Sequence, residues 1–192
     1  MKMKTIKTEK RICPCCMEKH AVKTVIVRER AVFKNSDFDY DAEYLFCDLA
    51  DELFMDEKQI QQNDICMKDT YRRLTGLLTS TEIKGIRDKY NITQSDLCIL
   101  LGWGGKTITR YESHQVQDKA HDTILKKIDN DPEWFMTLLN DNKCNLTKEA
   151  YQKSMESAQK LCKEDEIYNL RILVKNLQME NKKLNELLKT HA

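Results

Sequence analysis

Three of the chain's five glycines, Gly102, Gly104 and Gly105, fall within four positions. A chain of 192 residues with only five glycines and two prolines has few places where a helix must break, so this cluster dictates a tight turn. Before it, Thr93 is placed to cap a helix, and Leu97, Leu100 and Leu101 give that helix one apolar face. After it, a second helix is expected to begin near Lys106. Ile108 and Tyr111 lie three apart on that helix and pack inward, which leaves Lys106, Thr107, Thr109 and Arg110 facing outward. Two short helices joined by such a turn read as a helix-turn-helix. The first turns of the second helix would then meet DNA base edges through Lys106 and Arg110, while Thr107, Thr109, Gln94 and Ser95 steady phosphates.

Thr93-Gln94, Leu97, the Gly102 to Gly105 turn and Thr109-Arg110-Tyr111-Glu112 together resemble the helix-turn-helix of the Xre and lambda-repressor-like group. More narrowly, they resemble the DNA-binding half of MqsA-type antitoxins. That resemblance implies a regulator that represses its own operon. It also implies that the N-terminal domain or the C-terminal extension binds a partner, the cognate toxin.

Charge sets a condition on this reading. The formal net charge is +1, and residues 80–130 hold eight Lys or Arg against seven Asp or Glu. No global field draws nucleic acid in, so phosphate contacts must come from a local basic face, gathered from two copies of the chain. No apolar run approaches the roughly 18 to 20 residues that cross a bilayer, and the basic N-terminus lacks a signal peptide's apolar core. A cytoplasmic protein is expected, with no membrane partner.

The chain has eight cysteines, and without an export signal they read as free thiols or metal ligands rather than disulfides. Cys66, Cys98, Cys144 and Cys162 are scattered. Cys13-Pro14-Cys15-Cys16 holds a C-x-x-C knuckle, Cys13 with Cys16, whose spacing turns two thiolates toward one ion. Residues 21–33 are rich in β-branched side chains, Asn35-Ser36-Asp37 offers a turn, and a returning strand from Tyr40 to Phe46 would bring Cys47 beside the knuckle. This layout suits a small β-rich zinc finger, and it resembles the YgiT-type finger that precedes the helix-turn-helix in MqsA-type antitoxins. That family closes its finger with a second C-x-x-C, whereas Cys47-Asp48-Leu49-Ala50 puts alanine in the last place. Zinc would therefore have Cys13, Cys16 and Cys47 plus a fourth ligand that the sequence does not identify. Cys15, His20, Asp48 and Asp51 are open, as is loss of the metal with retention of the fold.

Further helices are expected over residues 56–78, over Thr81 to Tyr90 behind a Thr79-Ser80-Thr81-Glu82 start, over Ala120 to Ile128 and over Pro132 to Leu139. Lys148 to Leu188 contains no proline or glycine. Along it Ile167, Val174, Asn181 and Leu188 take the a positions of a heptad, and Leu170, Leu177 and Leu184 take d. β-branched residues at a, leucine at d and one asparagine at a are the pattern of a parallel two-stranded zipper.

The chain is thus expected to be mainly α with a small β-rich N-terminal finger, a helix-turn-helix bundle and a C-terminal coiled-coil helix. The expected divisions are a finger-like domain at 1–56, a connecting helix at 57–79, the DNA-binding domain at 80–140 and the long helix at 148–190. The expected function is that of a homodimeric, sequence-specific regulator bound to a palindromic operator in double-stranded DNA. The alternative is an interaction module that neutralises a toxin or host factor and keeps the helix-turn-helix as scaffold. No phosphate-cradling glycine loop, nucleophile elbow or His-Glu-x-x-His is present, so no catalytic site is expected.

Overall fold

The computed structural model describes residues 3–190, with side chains described except at 165, 168, 169 and 182–190. Four strands, β1 (Met3–Ile12), β2 (Lys19–Phe33), β3 (Ser36–Cys47) and β4 (Glu52–Phe54), form one antiparallel sheet in the order β1-β2-β3-β4. Among the described residues seven α-helices follow: α1 (Glu57–Thr75), α2 (Ser80–Lys89), α3 (Gln94–Leu100), α4 (Thr107–Ser113), α5 (Lys119–Asn130), α6 (Pro132–Asp141) and α7 (Lys148–Thr190), with a 3₁₀ turn at Lys143–Asn145. The chain is 56% helical behind this sheet, so the class is mixed α and β. This corrects the expectation of a mainly α chain with a small finger. The difference lies in β1, whose Lys4, Lys7 and Lys10 disguise a strand in the sequence. Lysines on an edge strand keep it from pairing with other chains, and nearly all of β1 is exposed.

The β2–β3 hairpin turns through Lys34 and Asn35, which both lie at positive φ (47° and 62°) between the paired residues Phe33 and Ser36. That is the primed two-residue turn whose twist matches the strands. Strand alternation sends Val25, Val27, Phe38 and Ala42 to one face of the hairpin and Val22, Leu45 and Cys47 to the other, and all seven are buried. Helix α1 starts at an Asp56–Gln59 capping box and stops at Gly76, which sits at φ 70°. It covers the open edge of β3. The Asn63 side chain donates to the Glu43 carbonyl (2.9 Å) and accepts from the Glu43 amide (2.8 Å), as a neighbouring strand would.

Two compact units are present, residues 1–85 with 106–124 and residues 86–105 with 125–192. In the first, Arg72 of α1 is 1% exposed. Its guanidinium donates to Asp69 (2.6 Å), to Gln117 Oε1 (3.0 Å) and to the carbonyls of Tyr111 and Gln115 (2.7 Å each) at the end of α4. Asp69 also accepts from the Ser80 amide and hydroxyl at the start of α2, and Gln117 donates to Leu78 O and to Asp122. A buried guanidinium is tolerated here because its donors and the carboxylate opposite are matched. In the second unit, Ile86, Tyr90, Leu97, Leu100, Leu125, Ile128, Phe135 and Leu139 are buried. The rings of Tyr90 and Phe135 lie 4.0 Å apart, and Tyr90 donates its hydroxyl to Ile128 O. No helix among the described residues is long and apolar enough to cross a membrane.

Candidate metal centre and the α3–α4 segment

The knuckle is a tight reversal between β1 and β2. The Cys13 amide donates to Glu18 O (2.9 Å), the Met17 amide donates to Cys13 O (2.8 Å), and Met17 takes φ 61° to close the turn. The β2–β3 pairing runs to Lys23 with Phe46, so Cys47 lies one residue further along, level with Val22. His20 stands two residues before Val22, so strand alternation puts it on the same face as Cys47. The ligand atoms of Cys13, Cys16, His20 and Cys47 all lie within 4.8 Å of one another. They could hold a metal ion such as zinc.

The donor set fits that ion. Three thiolates and one imidazole form one of the usual structural zinc sets, and bond lengths near 2.0–2.3 Å put ligand atoms about 3.5–3.8 Å apart on a tetrahedron. Cys47 Sγ and His20 Nε2 are 3.5 Å apart. His20 Nδ1 lies 3.0 Å from Ala21 O. Donating a proton there leaves the lone pair on Nε2, facing Cys47, as a metal-binding imidazole requires. The Ala50 amide donates to Cys47 Sγ (3.4 Å), so the alanine at the place of a missing thiol supports the thiolate with its backbone.

Electrostatics divide the cluster: Cys13 is lowered, whereas at Cys16 the backbone hydrogen bond at Glu18 is outweighed by burial and by hydrogen bonds with Cys47 and Cys13, which raise the thiol. Burial pushes the Cys13 thiol up, but the Cys16 amide, the His20 side chain, the Cys15 amide and Cys47 outweigh it and bring Cys13 down to about 6. Hydrogen bonding to Cys13 raises His20 against the effect of its burial. Val22 and Leu45 are buried beside Cys13 and Cys47, with Cys15, Cys16 and Phe54 packed at the margin. That apolar shell is small, which is the setting in which an ion replaces a core.

Of the fourth ligands left open by the sequence, His20 is the one that joins the cluster. Asp48 is engaged with Lys23 Nζ (2.8 Å), and Asp51 sits in the turn after β3 at φ 54°. The signal that identifies His20 was present in the C-x₂-C-x₃-H spacing and in the phase of β2. It becomes decisive only when the register of β3 against β2 is known.

Thr93 caps α3, accepting from the Asp96 amide (3.1 Å). Gly102 takes φ 65° after α3, and the Trp103 amide reaches back to Cys98 O (2.9 Å), so this glycine ends the helix in the left-handed conformation. Gln94 is half-buried and Ser95 exposed; both belong to the second unit. Lys106, Thr109 and Arg110 are exposed, Thr107 is half-buried, and all four belong to the first unit. Ile108 and Tyr111 are buried on the opposite side of α4. Arg72, which sequence reasoning did not single out, binds the carbonyl end of this helix. No protein-family model matches the chain, and neither does any curated protein or solved structure.

Proposed function

We propose that this chain is a homodimeric, sequence-specific DNA-binding regulator, the antitoxin of a toxin-antitoxin pair that represses its own operon. The observation that carries the reading is the two-sidedness of α4. Ile108 and Tyr111 are buried, Lys106, Thr109 and Arg110 are exposed, and the buried guanidinium of Arg72 grips the helix from its C-terminal end. A short helix held by its inner face and by one carbonyl in its last turn and one just beyond it presents its first turns in a fixed orientation, as base reading requires. In this reading Lys106 and Arg110 of the first unit meet base edges and Thr107 and Thr109 meet phosphates. On this reading the chain acts by binding, not by catalysis.

We further infer that Cys13, Cys16, His20 and Cys47 hold a structural zinc ion. The ion would tie the β1–β2 knuckle to the end of β3 and so fix the exposed end of the sheet. Zinc content of the purified chain tests this directly. One equivalent is expected in the native chain, and retention of a full equivalent by His20→Ala would overturn the assignment of that ligand.

Binding to DNA from the chain's own upstream region, compared with random DNA over a range of salt, tests the main reading. A specific site with a steep loss of affinity as salt rises is expected. Equal, weak and salt-insensitive binding to both would favour a second reading, in which the chain neutralises a toxin or host factor and α3–α4 serve as scaffold. The formal net charge of +1 is the observation on the side of that alternative.

A further inference from the structure

The N-terminal part of α7 is anchored. Ser154 and Ala158 are buried, and Tyr151 donates to Asn140 of α6. From Lys163 to Asn181, by contrast, every described side chain is exposed. This length carries large apolar residues at 50–59% exposure, Ile167, Leu170, Val174 and Leu177. Ile167, Leu170 and Val174, with Arg171, line a shallow apolar groove of about 290 Å³. The backbone remains helical to Thr190. The heptad positions Leu184 and Leu188 lie outside the described side chains.

We propose that this groove is the docking surface for a second copy of the same chain, with the two α7 helices parallel and in register. This deepens the dimeric part of the function proposed above. Three observations choose that occupant. The described a positions hold Ile167 and Val174 and the described d positions hold Leu170 and Leu177, the shape preference of two parallel strands. Asn181 at the next a position is exposed. An asparagine there has a like partner across the seam only when the helices are parallel and unshifted, so it sets both direction and register.

The third observation is charge. Glu166 falls at g, and Arg171 falls at e of the following heptad. In a parallel, in-register pair, g of one helix faces the following e of the other. Each Glu166 therefore meets Arg171 of the second copy, and two-fold symmetry makes the contact twice. An antiparallel pair would set g against g and e against e, which places like charges together.

Sedimentation equilibrium of the full chain tests the proposal without reference to DNA, so its outcome is separate from that of the regulator reading. The native chain is expected to sediment as a dimer. Leu170→Asp with Leu177→Asp should be monomeric and equally helical, since neither side chain contributes to the folded core of its own chain. Glu166→Arg alone or Arg171→Glu alone should each weaken the dimer about tenfold, because two attractive pairs become repulsive. An equimolar mixture of those two single variants should regain the native affinity as a mixed dimer, in which both pairs are again opposite in sign. A native monomer at all concentrations, a higher oligomer, or a mixture no tighter than its components would each overturn the parallel, in-register pairing.

Discussion

The Arg72 hub and the Cys13–Cys16–His20–Cys47 cluster belong to the same compact unit, and both gather polar side chains into a buried or half-buried setting, yet they are finished in opposite ways. Around Arg72 the acceptors are the Asp69 carboxylate, the Gln117 amide and the carbonyls of Tyr111, in the last turn of α4, and Gln115, just beyond it. Protein atoms alone satisfy the charge, and the hub is complete once the chain is folded. At the other site, four soft or borderline donor atoms converge within 4.8 Å amid a small apolar shell. Thiolates crowded together repel one another unless a cation lies between them. The lesson is that burial of polar groups alone does not mark a ligand site. The mark is a set of donor atoms that improve one another only through a third party.

Removal of the third party should separate the two regions most sharply. With a strong chelator, the chain should lose more than about 5 kcal/mol of stability relative to its zinc-bound form. The loss should remain below the roughly 10–16 kcal/mol of zinc-finger peptides, since α1 still covers β3. Denaturant titration with and without chelator measures it, and Cys47→Ser should abolish the difference. If chelator leaves the native chain unchanged, the cluster is a thiol-lined core and the contrast collapses.

Arg72→Ala comes next in size. It leaves Asp69 buried without its cation and removes the guanidinium from the Tyr111 and Gln115 carbonyls, so a loss of about 3–5 kcal/mol is expected. That loss should be the same with or without chelator. A strong dependence on zinc would show that the hub and the cluster are energetically one site.

Replacing Arg110, which is exposed and outside the face of α4 that buries Ile108 and Tyr111, should leave stability unchanged. Arg110→Ala should cost about 1–3 kcal/mol of operator affinity if the guanidinium forks onto a base. Fluorescence anisotropy on specific and random DNA distinguishes this from a phosphate contact, which would weaken both equally.

The smallest effect concerns acid. Glu82 accepts from the Thr79 hydroxyl and amide at the start of α2, and these bonds hold its carboxyl below the ordinary value. Its contribution is present above the ordinary Glu value of about 4.3 and is lost as pH falls through the lowered one. Glu82→Gln should therefore flatten the acid limb of the stability profile by only a few tenths of a kcal/mol, because water screens this exposed carboxylate. Thermal melts of the two chains between neutral pH and acid measure the difference.

Local chemistry made much of the helical architecture readable. Thr93 and the Thr79 to Glu82 start cap their helices through their own side chains, Pro132 opens α6, and Ile108 and Tyr111 turn inward by the helical period alone. Each of these signals acts over one or two turns. Strands carry weaker local signals. The hairpin of β2 and β3 was legible from its β-branched residues, but β1 was not, since an edge strand needs little apolar character and gains its bonds from a partner.

For the candidate site, the sequence by itself determined that Cys13 and Cys16 share a knuckle, because two thiols that close along the chain have little choice. A returning strand also made Cys47 a reasonable third member. Only the tertiary structure decided for His20, because the phase of β2 against β3 depends on pairing across the sheet. The same holds for Arg72. Its acceptors stand 39 to 45 residues away along the chain, at Tyr111, Gln115 and Gln117, and no local pattern can announce a hydrogen bond that exists only after the chain has closed on itself.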